Sequence, residues 1–433
     1  GVLLLVALLA WRRFGLTGFA PRLVTILVLA YAGTMVVEPL LRSLARLLRL
    51  ATAAGETRAV VALAMLAWAI RLAGLWHPQA LSSDLGLHAN NLRNLAAGEV
   101  IFTEGLPEEA GGGRAPYPPA QYVMLLPGTL LLAPERLVQA GNALLDSLVI
   151  ASNWLLLRSA GASARAGLFA GALYLFALPL LLSLSVGEMA NVWGQALVAP
   201  LFLALLLRRL GKAPSWLLVG MLSLSFLAHS GVFLSLLLFF GVYLVLLWTV
   251  DRFPRLGKTF RSLPFERRSW RTVGPAALLA PVLVALAIAV LAYYSAFIGA
   301  ELGGAGRAGA LGIAALWSEL AEALQWRGRI GPAIAALGAV GIGVSLRSRP
   351  ELGLVLLACS MRALLSLVSL LVSQQTLRWQ AFVFPALAVG GGMALARLES
   401  QGRAGRVAAY LLVAGTLAHG AARWYAQVRM YLH

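Results

Sequence analysis

The feature that most constrains this chain is the recurrence of apolar blocks, each roughly 16 to 24 residues long, separated by short arginine-bearing connectors. Blocks lie near 22–41, 59–76, 118–133, 138–157, 164–184, 190–207, 215–228, 231–250, 273–296, 331–346, 351–372, 380–397 and 406–422, with a shorter run at 1–11. Their length matches a hydrocarbon core of about 30 Å. Lipid offers no partners to backbone N–H and C=O groups, so such blocks have to be helices. Composition agrees: 60% of the residues are hydrophobic and 12% are charged, against about 25% charged in a soluble domain. The expected fold class is all-α, a polytopic helical membrane protein of about 12–14 membrane segments. No stretch is long and polar enough to form a separate soluble domain.

A formal charge of +18 would suit a nucleic-acid binder, but the arginines do not gather in one basic region. They punctuate the ends of the apolar blocks, where they set topology and meet anionic headgroups. The single cysteine, Cys359, lies inside a block and excludes an intrachain disulfide or a cysteine metal site. Arg12-Arg13 follow the first apolar run instead of preceding it, the wrong order for a signal peptide.

Orientation comes from the connectors. The segment 251–272 carries Arg252, Arg255, Lys258, Arg261, Arg267, Arg268 and Arg271 and is the strongest cytoplasmic signal. Counting from it places 42–58 inside, and 77–117, 185–192, 297–330 and 373–379 outside. The stretch 215–250 is too long for one crossing at about 1.5 Å per residue, and His229-Ser230-Gly231 is where it would turn. With 77–117 and 134–137 both outside, 118–133 has to enter and return. Pro116, Pro118, Pro119, Pro127 and Pro134 favour a broken element there. The alternative is a single, tilted crossing by 215–250.

Acids are scarce, so their positions inform. Of three aspartates, Asp146 sits in an apolar block and Asp251 opens the basic loop, which leaves Asp84 outside. If the residues after Asp84 are helical, Asp84, His88 and Asn91 stand at i, i+4 and i+7 on one face, with Leu85, Ala89 and Leu92 on another. That is the pattern of a helix lying along the membrane surface, polar stripe toward an external cleft. Ser82 or Ser83 would cap it. The plainer reading is an aspartate favoured in a first helical turn by the helix dipole. Glu188, with Asn191 three residues on, is the only acid of a long apolar region, and acids at a membrane edge are usually paired or functional. Arg378 is the only base of its external loop. It runs against the positive-inside trend, and a guanidinium matches phosphate with paired donors. His229 marks an external turn. Tyr117 and Gln121 enter the broken element in the run Pro116-Tyr117-Pro118-Pro119-Ala120-Gln121-Tyr122.

Ser83-Asp84, a surface helix, a glycine and then Tyr117-Pro118-Pro119-x-x-Tyr122 resemble the GT-C superfamily of integral membrane glycosyltransferases. The likeness is best over 71–200 and nearest to the polyprenyl-phosphate-sugar-dependent branch, which includes protein mannosyltransferases and aminoarabinose transferases. The resemblance implies that Asp84 is the catalytic base of the first external loop and that Glu188 is the second external acid. It also implies that Arg378, ahead of Pro385, binds the lipid phosphate. His88, Asn91, Tyr117, Gln121, Asn191 and His229 are then candidate substrate-binding residues. Many family members carry two adjacent acids where this chain has Ser83-Asp84-Leu85. No metal site is assigned and no cofactor is implied with certainty; a divalent cation is open, and His77, His88 and Asp84 could in principle hold one.

The implied parts are N-terminal membrane helices at 1–58, a catalytic transmembrane module at 59–250 with the external loop 77–117, and C-terminal helices at 251–433 with a lipid-phosphate-binding loop. The implied reaction is inverting transfer of a sugar from a polyprenyl-phosphate carrier to a hydroxyl acceptor (glycan, lipid or protein) at the extracytoplasmic face of the inner membrane. Two rivals remain at this level. A secondary transporter or flippase would place ionisable groups such as Asp146 and Arg362 at the bilayer midplane. A lipid-linked glycan ligase or polymerase would differ only in its donor.

Overall fold

The computed structural model describes residues 19–77, 80, 82–99, 102–105, 114–253, 273–296, 313–368 and 378–430. The 1–11 run and most of the basic 251–272 loop lie outside them. Among the described residues, nine helical segments are long and apolar enough to cross a membrane. The helices are α1 (Ala20–Leu47), α2 (Ala54–Leu75), α3 (Leu85–Ala96), α4 (Ala120–Leu125), α5 (Pro134–Ser159), α6 (Ala164–Tyr174), α7 (Leu178–Val186), α8 (Met189–Ala196) and α9 (Val198–Arg209). They continue with α10 (Ser215–Phe226), α11 (Ser230–Arg252), α12 (Pro275–Ala292), α13 (Ile313–Leu324), α14 (Pro332–Ser348), α15 (Pro350–Val368), α16 (Trp379–Glu399) and α17 (Arg403–Met430). The helix pairs α6–α7 and α8–α9 each make one broken span, and this multi-pass architecture is the one the apolar blocks require. Among the described residues, the departure from an all-helical chain is a two-stranded antiparallel ribbon, β1 (Phe102–Gly105) with β2 (Arg114–Tyr117), Phe102 opposite Tyr117.

The proline-rich block does not cross. α4 and the 3-10 turn that follows, Leu126–Leu130, extend about 19 Å even laid end to end, well short of a 30 Å core. Leu130 and Leu131 at its tip are 87% and 84% exposed, apolar side chains that suit a lipid neighbour and not water. The element is pinned by the Ala120 N–H, which donates to the Leu227 carbonyl at 3.0 Å. The chain turns over 227–229, between α10 and α11, so the single tilted crossing of 215–250 is not what forms.

Glycine decides what sits at the centre. In lipid there is no hydrophobic drive between helices, so close backbone approach through small residues does the joining. A Cβ on Gly341 of α14 would lie 1.6 Å from the Gly390 carbonyl oxygen of α16, and one on Gly392 would lie 2.4 Å from the Ala166 carbonyl oxygen of α6. α16 is therefore clasped between α14 and α6, buried along most of its length, and it holds Arg378 at its N-terminus at the same end as α3 and α4.

A second internal tie is polar. Arg71 of α2 and Asp146 of α5 are both fully buried and form an ion pair, Nε to Oδ2 2.5 Å. The Tyr174 hydroxyl donates to Asp146 Oδ1 at 2.7 Å, and Arg71 Nη1 donates to the Ala67 and Leu175 carbonyls at 3.2 Å each. Asp146 thus links three helices and faces no aqueous crevice. Arg362 is likewise enclosed, hydrogen-bonded to Ser235 and 4.2 Å above the Phe382 ring.

Candidate active site

The site begins where α2 ends and the chain turns into α3. Asp84 is the N-cap of α3, with φ −98° and ψ 0°, and its side chain makes no capping bond. Neither serine caps the helix either, contrary to the sequence expectation. Ser83 Oγ instead donates to the Val186 carbonyl at 2.6 Å, tying the start of α3 to the break between α7 and α8. That break is Gly187, φ +95°, a left-handed conformation that a side chain makes costly. Space excludes a side chain as well: a Cβ there would lie 2.8 Å from the Asp84 backbone N and 2.7 Å from Ser82 Oγ. A bare Gly187 thus lets Asp84 rest against the residue next to Glu188, more than a hundred positions away in sequence. Gly187→Ala is expected to cost about 1–2 kcal/mol from the backbone alone and to loosen the loop. A lower melting temperature in detergent, with faster proteolysis within 77–117, is the outcome to check.

Glu188 stands at the N-cap position of α8 without a side-chain capping bond, and its carboxylate reaches α16. Its Oε1 lies 2.5 Å from Arg378 Nη2, and its Oε2 accepts from Asn191 Nδ2 at 3.2 Å. Asn191 Oδ1 accepts in turn from Gln195 Nε2 at 3.3 Å. Arg378 is the N-cap of α16 at φ +49°, one of only two non-glycine residues with positive φ among the described residues. Such strain persists where neighbouring structure imposes it, and it concentrates at functional sites. Just after it, Trp379 Nε1 and Gln380 Nε2 both donate to Glu319 Oε1, at 3.2 and 2.8 Å.

The polar stripe of α3 does not face an open cleft. His88 is fully buried, Asn91 is 5% exposed, and both turn toward Tyr122: His88 Nδ1 lies 2.8 Å from the Tyr122 hydroxyl and Asn91 Nδ2 3.3 Å. α3 is covered on this side by α4 and α5. Tyr117 packs its ring 5.6 Å from His88 and 6.4 Å from Tyr122. Gln121 is also fully buried, and neither end of its amide finds a hydrogen bond among the described residues. These residues form a support behind Asp84. Burial pushes the His88 imidazole down to about 4, against the opposing influence of Asp84 and the Gly187 backbone. His229, at the 227–229 turn, accepts at Nδ1 from the Gly231 N–H at 3.0 Å. It is also lowered to about 4, by its enclosure and then by Arg378 and His88. Asp84, His88, Glu188, His229 and Arg378 therefore occupy one electrostatic neighbourhood, drawn from four separate stretches of chain. His77 lies elsewhere, 5.2 Å from the Phe19 ring, and among the described residues no three His, Cys, Asp or Glu side chains converge as metal ligands.

Glu188 and Arg378 line a cavity of about 540 Å³, within the range of small-molecule sites. Arg327, Arg329 and Arg423 also line it, with Glu319 and Glu322. None of these five is a sequence candidate. Arg327 and Arg329 carry the same signal that singles out Arg378, arginine in a segment assigned outside. Arg423 lies beyond the last apolar block and gives no such signal.

No protein-family model matches this chain, and no curated protein does. Solved structures do. ArnT from Cupriavidus metallidurans bound to undecaprenyl phosphate superposes with a TM-score of 0.50 at 17% identity, over 81% of this chain and 62% of that one. The archaeal oligosaccharyltransferase AglB from Archaeoglobus fulgidus, in complex with an inhibitory peptide and a dolichol-phosphate, superposes with a TM-score of 0.50 at 15% identity. There the match covers 86% of this chain and 55% of that one. The chain spans somewhat over half the length of each. Both are GT-C membrane glycosyltransferases. These superpositions show that this chain shares the fold of those two structures, the fold that the resemblance in its sequence implies.

Proposed function

We propose that the protein transfers a sugar from a polyprenyl-phosphate carrier to a hydroxyl acceptor, with inversion, at the extracytoplasmic face of the inner membrane. The observation that carries the reading is the docking of the Asp84 loop on the Gly187–Glu188 turn, whose Glu188 lines the cavity together with Arg378. Asp84 is held against the Gly187–Glu188 turn, and Glu188 holds Arg378 at 2.5 Å. In this mechanism Asp84 takes the proton of the attacking hydroxyl as that oxygen bonds to the anomeric carbon. Arg378 stabilises the charge that grows on the departing phosphate. A phosphate reaching Arg378 replaces the Glu188 carboxylate, which then turns with Asn191 to the acceptor. His88 and Asn91 act as positioning residues through Tyr122, because they are buried behind Asp84. His229 stays neutral beside Arg378 and so adds no competing charge. The ArnT and AglB structures, which hold undecaprenyl phosphate and a dolichol-phosphate, support a lipid-linked donor. The transporter reading loses support, since Asp146 is paired internally with Arg71 and Arg362 is enclosed against Ser235 and Phe382.

Arg378→Gln tests the assignment. With purified protein and a panel of polyprenyl-phosphate sugars, kcat is expected to fall about 10²–10³-fold, the usual loss for one transition-state donor. Arg378→Lys should recover part of it, since charge survives and the paired geometry does not. Undiminished turnover by a folded Arg378→Gln variant would remove the arginine from the chemistry.

A further inference from the structure

Three helix ends meet around Trp76, and none of the residues involved lines the cavity of Glu188 and Arg378. α1 begins at Ala20 with Arg22 in its first turn, α2 ends at Leu75, and α5 begins at Pro134 with Arg136 in its first turn. Arg22 Nη1 donates to the Trp76 carbonyl at 2.9 Å, and the Arg136 guanidinium stands 5.3 Å from the centre of the Trp76 ring. The two guanidinium groups are near enough to repel one another. Each also sits at the positive end of its helix dipole, where a cation is disfavoured. Glu135, the adjacent acid, is engaged by Arg93, and among the described residues neither Arg22 nor Arg136 forms an ion pair. Trp76 itself is 7% exposed, and its indole N–H finds no acceptor among the described residues, a costly state for a buried donor.

Two helix N-termini, two arginines and one unsatisfied indole donor make the same demand, an anion. Both arginines fall at the end that the connectors assign outside, against the positive-inside trend. Past Arg22, the face of α1 carries Val24, Leu27, Val28 and Tyr31, each more than half exposed, a patch that suits acyl chains. The demand for an anion thus stands at the edge of the bilayer, where phosphate is carried by phospholipid. We propose that Arg22, Arg136 and Trp76 hold the phosphodiester of an anionic phospholipid, such as phosphatidylglycerol, with its acyl chains along α1. Phosphatidylcholine is a poorer occupant, because its own ammonium would be brought up to two guanidinium groups. The bound lipid offsets the repulsion between Arg22 and Arg136 and ties α1 to α5. Asp84 follows Trp76 by only eight residues, so the same tie steadies the entry to its loop. This binding does not depend on sugar transfer.

The test is native mass spectrometry and thermal unfolding of the full-length protein in phosphatidylcholine nanodiscs, with and without phosphatidylglycerol. Wild type is expected to retain phosphatidylglycerol and to melt at a higher temperature when it is present. Arg22→Gln and Arg136→Gln should each weaken retention about fivefold, the usual share of one arginine at an anionic headgroup. Together they should abolish the rise in melting temperature. Arg136→Lys should regain part of the binding, since charge survives and the paired donors do not. Trp76→Phe keeps a ring beneath Arg136, removes the N–H, and should also weaken retention. Arg403→Gln, exposed at the start of α17, is the control and should change nothing. If the arginines only brace the helix ends, the double variant melts lower by the same amount in both lipid mixtures and retains the lipid as wild type does. That result overturns the proposal, as does a wild type that retains no phosphatidylglycerol. Equal protection by inorganic phosphate in pure phosphatidylcholine discs would assign the site to a free anion. Displacement of the lipid by equimolar undecaprenyl phosphate would give it to the carrier; either result overturns the phospholipid assignment.

Discussion

Asp84→Asn is expected to reduce sugar transfer by about 10²–10⁴-fold, the range for removal of a general base, while folding and carrier binding survive. The amide keeps the size and the N-cap position, and the Asp84 side chain makes no capping bond to lose. Ser83 and Gly187, which dock the loop, are untouched. What disappears is the capacity to take a proton from the acceptor hydroxyl. The pH profile sharpens the test. His88 and His229, both at about 4, are uncharged from about pH 5 upward and contribute no titration in the working range. A change in kcat/KM above about pH 5 is therefore not the titration of either imidazole. A loss of melting temperature matching the loss of rate would instead assign Asp84 to structure.

The largest effect on stability is expected from Asp146→Ala. The carboxylate is fully buried, paired with Arg71 and hydrogen-bonded by Tyr174. Removing it leaves an enclosed guanidinium without a counter-charge, which costs about 3–5 kcal/mol when one partner of a buried pair is lost. The double variant Arg71→Met with Asp146→Leu removes both charges and should regain most of that loss. Reversible unfolding in mixed micelles, or the melting temperature in detergent, distinguishes the two. Because α2 leads into Asp84 and α6 leads to the Glu188 turn, the single variant should also lose transfer, and the double variant should regain it. Equal destabilisation of single and double variants would show that packing of the side chains, and not the charge, is what the site needs.

Some of this was legible in the residues. Block length and the refusal of lipid to satisfy backbone groups dictate a helical bundle, and the rarity of outside charges picks Asp84, Glu188 and Arg378. Glu188 and Arg378 form an ion pair, and the turn that carries Glu188 lies against Asp84. What the stripe Asp84–His88–Asn91 conceals is which surface covers it. Period 3.6 shows that the three share a face, not whether that face meets a cleft or Tyr122. The serine cap fails for a related reason, since Ser83 has a partner a hundred residues away that no local rule contains. Gly187, Gly341 and Gly392 look like ordinary glycines of apolar runs, yet each marks a backbone contact that only the assembled helices create. Arg423 joins the cavity for the same reason: its neighbours are supplied by α16 and by the end of α13, distant in the chain. The aspartate and arginine of the transporter reading were visible too, and only packing reveals that Asp146 is paired with Arg71 and that Arg362 is enclosed against Ser235 and Phe382.

Transfer itself is the measurement that bears most directly on the account. Purified wild type in nanodiscs would be given a panel of polyprenyl-phosphate sugars with hydroxyl acceptors, carrier release followed by mass spectrometry and product configuration by NMR. The account predicts stoichiometric free polyprenyl phosphate and a product of inverted anomeric configuration, both abolished in Asp84→Asn. Retained configuration, or full release of carrier by the Asp84→Asn variant, would contradict it.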